Sequence, residues 1–467
     1  MHNKFGLDKQ IFIRLINESL RRGGDFADIF FQYSINSEII IQEDIVKNTS
    51  NSISLGVGIR VIDGEKTGYA FTNDLSWDKL IETAQTAAII ANSNSQIKIK
   101  GLNKQKTSNN LYNYNKNLVQ NSTKTQINLL RRAYDAAKNF SPQIEKVSAN
   151  LSSSLSYITI ANSEGLIISD SRPQVRIMVS STASNKVTKT TASANNGGRY
   201  NIDFFISNVT PEQIGRKASE EAIILLDARN APMGEIPVVL DSSESGVMIH
   251  EAIGHPLELD SIRNKTSVMW DKYGQIVANS NVTIYDNPNI PGFRGSYNID
   301  DEGMATSDCL LVEKGKLVGF MNDYLNAKLM NQVRNAHGRR QSYRYPPIPR
   351  MSNTILAAGD FNPNEIIESV KFGILAKSFQ GGMVNSTGKF TFSINLGYLI
   401  ENGKLTAPIK NATLIGSNLE ILKRIEMVGN DTQFFLGTCG KNGQSVPVTC
   451  GTPTLKISMM TIGGCNE

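Results

Sequence analysis

The chain is poor in the residues that bind metals and form disulfides: its 467 residues include only four histidines and four cysteines. None of the cysteines, Cys309, Cys439, Cys450 and Cys465, belongs to a Cys-x-x-Cys pair. This spacing argues against a disulfide framework and predicts a reducing, cytoplasmic location. No apolar run reaches the length that crosses a membrane, and no apolar segment follows Met1. We therefore expect neither a membrane span nor a secretory signal.

A strong excess of charge of one sign is also absent. The formal net charge of +5 is small for this length and does not by itself indicate a nucleic-acid partner. The loop 334–350 contains Arg334, Arg339, Arg340, Arg344 and Arg350, which keeps nucleic-acid binding as an alternative. Because no RRM, KH or helix-turn-helix signature accompanies this loop, we do not expect such a partner.

The length exceeds that of one ordinary hydrophobic core, so two domains are expected. Helical periodicity over 8–22, 76–91, 124–138 and 210–228 alternates with strand-like segments that reach residue 194. The Pro- and Gly-containing segment 230–234 breaks this pattern, and mainly strands follow it. We predict an α+β fold. Residues 1–229 form a domain with helices on an antiparallel sheet, and residues 230–467 form a strand-rich domain.

Two of the four histidines flank a glutamate in the segment His250-Glu251-Ala252-Ile253-Gly254-His255. Two imidazoles can hold a zinc ion, and the carboxylate beside the first can take a proton from a zinc-bound water. On a regular α-helix, residues five apart differ by about 140° around the axis, so the helix must end or distort before His255. We predict that Gly254 ends the helix in the left-handed conformation and that Pro256 turns His255 away from helical geometry. This metal-binding helix belongs to the C-terminal domain.

A catalytic zinc usually has three protein ligands, and the motif supplies two. The candidates for the third are Glu258 and Asp260, which follow the motif closely, and Cys439, which lies in a Gly-rich segment. Zinc favours sulfur, but the spacing alone does not choose among the three. If Cys439 is the ligand, Glu258 and Asp260 are candidates to fix an imidazole N–H.

Substrate-binding groups are predicted from charge and from glycine. Arg339 and Arg340 are candidates to bind a peptide carboxylate, with a solvated basic loop as the alternative. Gly381 and Gly382, beside predicted strands, would let a substrate backbone come close. Such a substrate would bind as an additional strand at the edge of the sheet, which favours unfolded or flexible peptides.

The sequence resembles the TldD/PmbA family, in its TldD branch. The resemblance is close over the second domain and looser over the first. The matching segments are 250–258, 292–296, 300–303, 325–327, 338–343, 349–351, 388–390, 398–403, 427–431, 439–441 and 443–447.

This resemblance implies a zinc metalloprotease subunit that pairs with a related PmbA/TldE-type subunit, or with a second copy of itself. It also implies metal binding by both motif histidines and a cysteine that matches Cys439, whereas Cys450 and Cys465 fall outside the matching motif. We therefore expect a zinc-dependent peptidase for unfolded or flexible peptides, with Glu251 as the general base. The alternative is a non-catalytic regulatory or peptide-binding subunit.

Overall fold

The computed structural model describes residues 8–93, 97–112, 123–385 and 387–464. Cys465 lies outside these ranges. Within them, no helix combines the length and the apolar character needed to cross a membrane.

The N-terminal half is built on a seven-stranded sheet in the order β3-β2-β1-β5-β6-β4, with β7 beside β6. The strands are β1 Phe26–Gln42, β2 Ile45–Asp63, β3 Lys66–Thr72, β4 Asn103–Lys104, β5 Ile144–Asn162, β6 Leu166–Ser184 and β7 Lys189–Gly198. All neighbours are antiparallel except β4 and β6. Strand β1 is continuous, because its pairing with β2 and β5 runs without a break through Ser34.

Within the described residues, five α-helices accompany this sheet: α1 Lys9–Ser19, α2 Trp77–Ala88, α3 Thr123–Lys138, α4 Phe204–Ser207 and α5 Pro211–Ile224. Side chains alternate between the two faces of a strand, and the odd-numbered residues of β1 point towards the helices. Ile29 packs in the core of α1 and α2, whereas Ile39 packs in the core of α3 and α5. The helices therefore cover one face of the sheet in two groups.

The other face of the sheet meets the C-terminal half through buried ion pairs. Asp28 on β1 accepts hydrogen bonds from Arg60 on β2 and, at 3.2 Å, from Arg340. Arg60 also donates to Glu302 at 2.8 Å, and all four side chains are buried. Four charges from distant parts of the chain thus neutralise one another across the contact between the two halves.

The C-terminal half consists mainly of strands. Its strands are β8 Arg229–Asn230, β9 Gly234–Leu240, β10 Ile284–Asp286, β11 Cys309–Glu313, β12 Lys316–Leu317, β13 Gly338–Arg339, β14 Ile348–Pro349, β15 Asn353–Leu356, β16 Phe372–Val384, β17 Lys389–Glu401, β18 Lys404–Lys410, β19 Ala412–Ser417, β20 Ile425–Val428, β21 Gln433–Lys441, β22 Gln444–Thr452 and β23 Leu455–Gly464. The helices are α6 Gly246–Ile249, α7 Leu259–Arg263, α8 Tyr324–Leu329, α9 Pro363–Glu368 and α10 Asn418–Lys423.

These strands form two large sheets with a shared core between them. One sheet has the order β12-β11-β10-β15-β22-β21. The other has the order β16-β9-β23-β19-β17-β18-β8, with β20 beside β23, and the pairing of β16 with β17 closes five of its strands into a ring. Helix α6 lies between the two sheets, and its buried Met248 and Ile249 belong to their common core. The helix that carries the histidine motif is therefore enclosed on both sides.

The predicted α+β class is confirmed, with helices on an antiparallel sheet in the N-terminal half and a strand-rich C-terminal half. Helix α5 begins with a capping box between Thr210 and Gln213. The division into domains 1–229 and 230–467 stays a prediction.

We expect Arg60→Met to destabilise the fold by about 3–5 kcal/mol, because it leaves the buried carboxylates of Asp28 and Glu302 without their shared cation. Urea unfolding measures this loss. The matched control is Arg132→Met, which breaks a surface pair with Glu212 and should cost less than about 1 kcal/mol. Equal losses in the two variants would contradict a special role for the buried pair.

Candidate metal centre

The segment His250–Gly254 is a π-helical turn that continues α6. The backbone N–H of His255 donates to the carbonyl oxygen of His250, five residues earlier. An i→i+5 bond brings residues five apart onto the same side of the helix. The imidazole rings of the two histidines accordingly lie 5.3 Å apart between centroids, with their planes at 82°.

The helix therefore distorts before the second histidine, as the spacing requires. The prediction that Gly254 ends the helix in the left-handed conformation, with His255 outside helical geometry, is wrong. Gly254 has right-handed helical geometry with φ −56° and ψ −64°, and His255 is helical with φ −59° and ψ −42°. A wider turn supplies the missing rotation, and a 3-10 turn at His255–Leu257 follows it. Pro256 occupies the first turn of this 3-10 segment, where its missing N–H costs nothing.

Glycines let this helix pass close to its neighbours. A Cβ on Gly254 would lie 1.8 Å from the sulfur of Met351, and a Cβ on Gly246 would lie 3.0 Å from Cβ of Cys450. Gly254 is thus required by the close approach of Met351, just before β15, and not by an unusual φ angle. This packing buries His250, of which only 3% is exposed.

Strand β21 brings Cys439 to the two histidines. Cys439 pairs with Val446 of β22, and its carbonyl oxygen accepts a hydrogen bond from Arg350 at 2.6 Å. Its sulfur lies 3.4 Å from Nε2 of His255. One potential ligand atom from each of His250, His255 and Cys439 lies within 4.8 Å of the others.

These three side chains fit a zinc ion. Ligands at about 2.0–2.3 Å in a tetrahedral arrangement are separated by roughly 3.5 Å, close to the distance between Cys439 and His255. Nδ1 of His250 is buried and has no hydrogen-bond partner among the described residues. A buried polar atom without a partner costs free energy, which coordination of a metal would offset. Neither Glu258 nor Asp260, the other candidates for third ligand, belongs to this group.

The charges around Cys439 favour the thiolate, the form that binds metals. Burial raises the pKa of Cys439, but the neighbouring imidazoles of His250 and His255 outweigh it and lower the pKa to about 5. The neighbouring cysteines change the pKa of His250 in the opposite direction. Burial lowers its pKa, but Cys450 and Cys439 outweigh this and raise it well above the ordinary value. The imidazoles and the sulfur thus stabilise each other's charged forms.

Glu258 orients the second imidazole from the side away from Cys439. Its Oε2 lies 2.9 Å from Nδ1 of His255 and 3.0 Å from Nζ of Lys441. Burial raises the pKa of Glu258, but Lys441, His255 and Arg350 lower it to about 2. Asp260 makes no such contact with a histidine and instead accepts a hydrogen bond from Lys441 at 2.7 Å. A buried carboxylate that fixes the outer nitrogen of a histidine is the usual companion of a metal ligand.

Glu251 lies at the open side of this group. About 23% of its side chain is exposed, and Oε2 is 4.0 Å from Nε2 of His255. The carboxylate is therefore close to His255, one of the three potential ligands, and also reachable from solvent.

The predicted substrate arginines are placed differently from expectation. Arg339 and Arg340 are only 4% and 5% exposed, so the alternative of a solvated basic loop is wrong for both. Arg339 donates to the carbonyl oxygens of Met351 and Pro447, and Arg340 pairs with Asp28. They belong to the contact between the two halves, and their role towards a substrate stays a prediction.

Gly381 and Gly382 lie on an exposed part of β16. A Cβ on Gly381 would meet nothing within 4 Å, so another chain could approach there, and its φ of +139° favours glycine. A Cβ on Gly382 would lie 1.9 Å from the Phe392 ring of β17. Gly382 is therefore explained by packing within the sheet, and a substrate role for either glycine stays a prediction.

Four residues around the site were missed from the sequence: Arg350, Lys441, Met351 and Cys450. Arg350 and Lys441 connect the backbone near Cys439 to Glu258, at 3.9 Å and 3.0 Å from its carboxylate. Cys450 falls outside the matching motif, yet it packs against Gly246 and contributes to the raised pKa of His250. All but Cys450 lie in segments that resemble the TldD/PmbA family, which was a usable signal.

Comparison with family models matches nearly the whole chain to one family. Residues 27–91, 116–226 and 233–464 match domain 1, the central domain and the C-terminal domain of PmbA/TldA metallopeptidases.

The curated relatives and solved structures agree with this match. A metalloprotease TldD homolog of Buchnera aphidicola is 38% identical, covering 98% of this chain and 96% of its own. A zinc metalloprotease TldD homolog of Saccharolobus solfataricus is 28% identical over 97% of this chain and 99% of its own. TldE of Thermococcus kodakarensis has the same fold, with a TM-score of 0.76, 18% identity and coverage of 97% and 100%. A Thermotoga maritima protein, described as a proposed modulator of a DNA gyrase, has a TM-score of 0.81, 20% identity and coverage of 97% and 99%.

The order of the three matching domains and the identity to TldD homologs over nearly the full length lead to one conclusion. The chain belongs to the PmbA/TldA metallopeptidase family, in its TldD branch.

Proposed function

We propose that this chain is a zinc-dependent peptidase in which His250, His255 and Cys439 hold the metal. The observation that carries the proposal is that one potential ligand atom from each of these three residues, on a π-helical turn and a distant strand, lies within 4.8 Å of the others. The naming of relatives as metalloproteases, one of them as a zinc metalloprotease, supports the same reaction. When bound, zinc would supply Lewis acidity towards a peptide carbonyl and towards water.

The residues of the chain supply the proton transfers. Glu251 would take a proton from the attacking water and return it to the leaving amine, because its partly exposed carboxylate lies beside His255. Glu258 would hold His255 in one tautomer by accepting from its Nδ1–H. Lys441 and Arg350 would keep Glu258 ionised for that task.

The substrate is proposed to be an unfolded or flexible peptide that lies along exposed strand backbone. The support is the open space beside Gly381, since an added strand is recognised mainly through backbone hydrogen bonds. A folded protein that is cleaved as readily as its unfolded form would contradict this.

The proposed setting is the cytoplasm, in a complex with a PmbA/TldE-type subunit or with a second copy of this chain. TldE of Thermococcus kodakarensis shares the fold over the full length, which makes a partner of the same architecture plausible. Size-exclusion chromatography with light scattering, with and without a PmbA/TldE-type subunit, distinguishes the two assemblies.

The second candidate function is a regulatory or peptide-binding subunit without catalysis. The fold shared with a protein described as a gyrase modulator favours it. The complete set of His250, Glu251, His255 and Cys439 argues against it, because a scaffold has no need for a base beside three metal-binding groups.

Purified protein is expected to contain about one zinc per chain, and His250→Ala or Cys439→Ala should lose most of it. The reason is that a structural or catalytic zinc site rarely survives with two protein ligands. Elemental analysis measures the metal. Cys309→Ala removes another buried cysteine, distant from the motif in sequence, and should keep the zinc. Zinc retained in Cys439→Ala would contradict the assignment of the third ligand.

Glu251→Gln is expected to keep the zinc and to lose peptidase activity by about 100-fold or more, because the amide cannot accept the proton. Cleavage of a flexible fluorogenic peptide measures the activity, and elemental analysis of the same sample measures the metal. A variant that performs the cellular function as well as the wild type would favour the regulatory alternative.

Glu258→Gln should weaken zinc binding by about 10- to 100-fold, since it replaces a charged acceptor on His255 by a neutral one. Competition with a zinc chelator measures the affinity. Glu244→Gln, which changes a half-buried carboxylate just before α6, is the control and should leave the affinity unchanged. Equal losses in the two variants would show that these carboxylates act through folding and not through His255.

A further inference from the structure

A cavity of about 490 Å³ lies between the polar face of the N-terminal sheet and the loops of the C-terminal half. Its floor is formed by even-numbered residues of β1 and by facing residues of β2, β5 and β6, namely Phe30, Gln32, Ser34, Asn36, Ser54, Ser154, Ser156, Ile158, Arg172 and Gln174. Segment 339–345 and Pro447 form much of the remaining wall. The volume falls in the range of small-ligand sites.

Five arginines line this cavity, and two of them have carboxylate partners. Arg172 pairs with Asp301 at 2.5 Å, and Arg340 pairs with Asp28 at 3.2 Å. Among the described residues, Asp301 is the only acidic side chain of the lining, and it also accepts a hydrogen bond from the backbone N–H of Arg340 at 2.7 Å. The acidic groups around the cavity are therefore already engaged.

Arg199 and Arg339 have no carboxylate within ion-pair distance among the described residues. Arg199 donates through Nε to the carbonyl oxygen of Ser296 at 2.8 Å, and Arg339 donates to the carbonyls of Met351 and Pro447. Both are buried. Burial lowers the pKa of Arg199 to about 10 and lowers that of Arg339 as well.

A buried guanidinium without a counter-charge is costly, and the cost falls when an anion enters. Nε of Arg340 is also buried without a hydrogen-bond partner. The cavity thus combines uncompensated positive charge, a free buried donor and a floor of serine, asparagine and glutamine side chains. Each of these features favours a small anion with several acceptor oxygens.

The wall of this cavity is continuous with the backbone that carries Cys439. Arg339 donates a hydrogen bond to the carbonyl oxygen of Pro447, and Pro447 pairs with Thr438, the neighbour of Cys439. Arg339 also holds the carbonyl of Met351, whose sulfur packs against Gly254 between the two histidines. An anion in the cavity would therefore be bound by residues that directly support the candidate metal centre.

We propose that this arginine cavity is an anion-binding site and that it takes a carboxylate of the peptide substrate. The carboxylate belongs either to the free C-terminus or to an acidic side chain, and guanidinium groups match both in the same planar geometry. The choice of a peptide carboxylate rests on the proposed peptidase function, whereas the anion site itself rests on the arginines. The cavity then selects which peptides reach the metal centre.

The test measures binding of short N-acetylated peptides to the full-length Glu251→Gln chain loaded with zinc, by calorimetry in chloride buffer. Three peptides of one flexible sequence are compared: a free C-terminal carboxylate, a C-terminal amide, and the amide with one internal glutamate. At least one carboxylate form should bind about tenfold or more tightly than the plain amide. The form that does so identifies the source of the carboxylate.

Arg199→Gln should abolish the difference between carboxylate and amide. Arg176→Gln is the matched control and should keep it, since Arg176 also lacks a carboxylate partner among the described residues but does not line the cavity. If Arg199→Gln does not fold, Arg344→Gln replaces it. Arg344 lines the cavity from an exposed position and should reduce the difference by about threefold.

Equal binding of all three peptides, or an unchanged preference in Arg199→Gln, would overturn the proposal. Cleavage of the same peptides by the wild-type chain separates this failure from failure of the proposed function. A carboxylate preference without cleavage leaves the anion site standing and contradicts the peptidase. Cleavage without any carboxylate preference supports the peptidase and contradicts the anion site.

Discussion

The hydrogen bond from the backbone N–H of His255 to the carbonyl of His250 is the constraint on which the candidate site depends. An α-helical bond at the same place would turn the two imidazoles to different faces of the helix. The wider turn is held by its surroundings, because Met351 packs directly against Gly254 and Cys450 packs against Gly246. The two sheets of the C-terminal half therefore fix a backbone geometry that the helix alone would not favour.

The second constraint is the burial of arginines between the two halves of the chain. Arg60 and Arg340 find carboxylates there, and their charges stabilise the contact as long as both partners remain. Arg199 and Arg339 lie in the same contact without such partners. Buried charge thus has two consequences in this molecule: where it is paired it joins the halves, and where it is not paired it leaves a place for an anion.

The two constraints meet at strands β21 and β22. Cys439 faces the histidines from β21, while Pro447 on β22 receives a hydrogen bond from Arg339 on the cavity side. Lys441 and Arg350 connect this strand pair to Glu258, and through it to His255. A shift of the strand pair would move a candidate metal ligand, its supporting carboxylate and the cavity wall together. The proposed substrate site and the candidate metal centre are for this reason mechanically coupled.

Patterns within short stretches of the sequence predicted much of the fold. The α+β class and the helices near 8–22, 76–91, 124–138 and 210–228 were predictable, because each helix depends on residues close together in sequence. The spacing of His250 and His255 predicted a distorted helix, but the predicted distortion, a helix end at Gly254, is wrong. A π turn leaves no local mark that separates it from a helix end at glycine.

By itself, the sequence determined the chemistry available: a scarce pair of histidines around Glu251, a candidate cysteine, and an α+β fold rich in strands. Only the tertiary structure decided which groups meet. Cys439 lies 184 residues from His255 in the chain. Arg339 and Arg340 can be buried because Met351, Pro447 and Asp28 accept their hydrogen bonds. Contacts between distant segments depend on packing of whole sheets, and no periodicity in a short stretch of sequence encodes them.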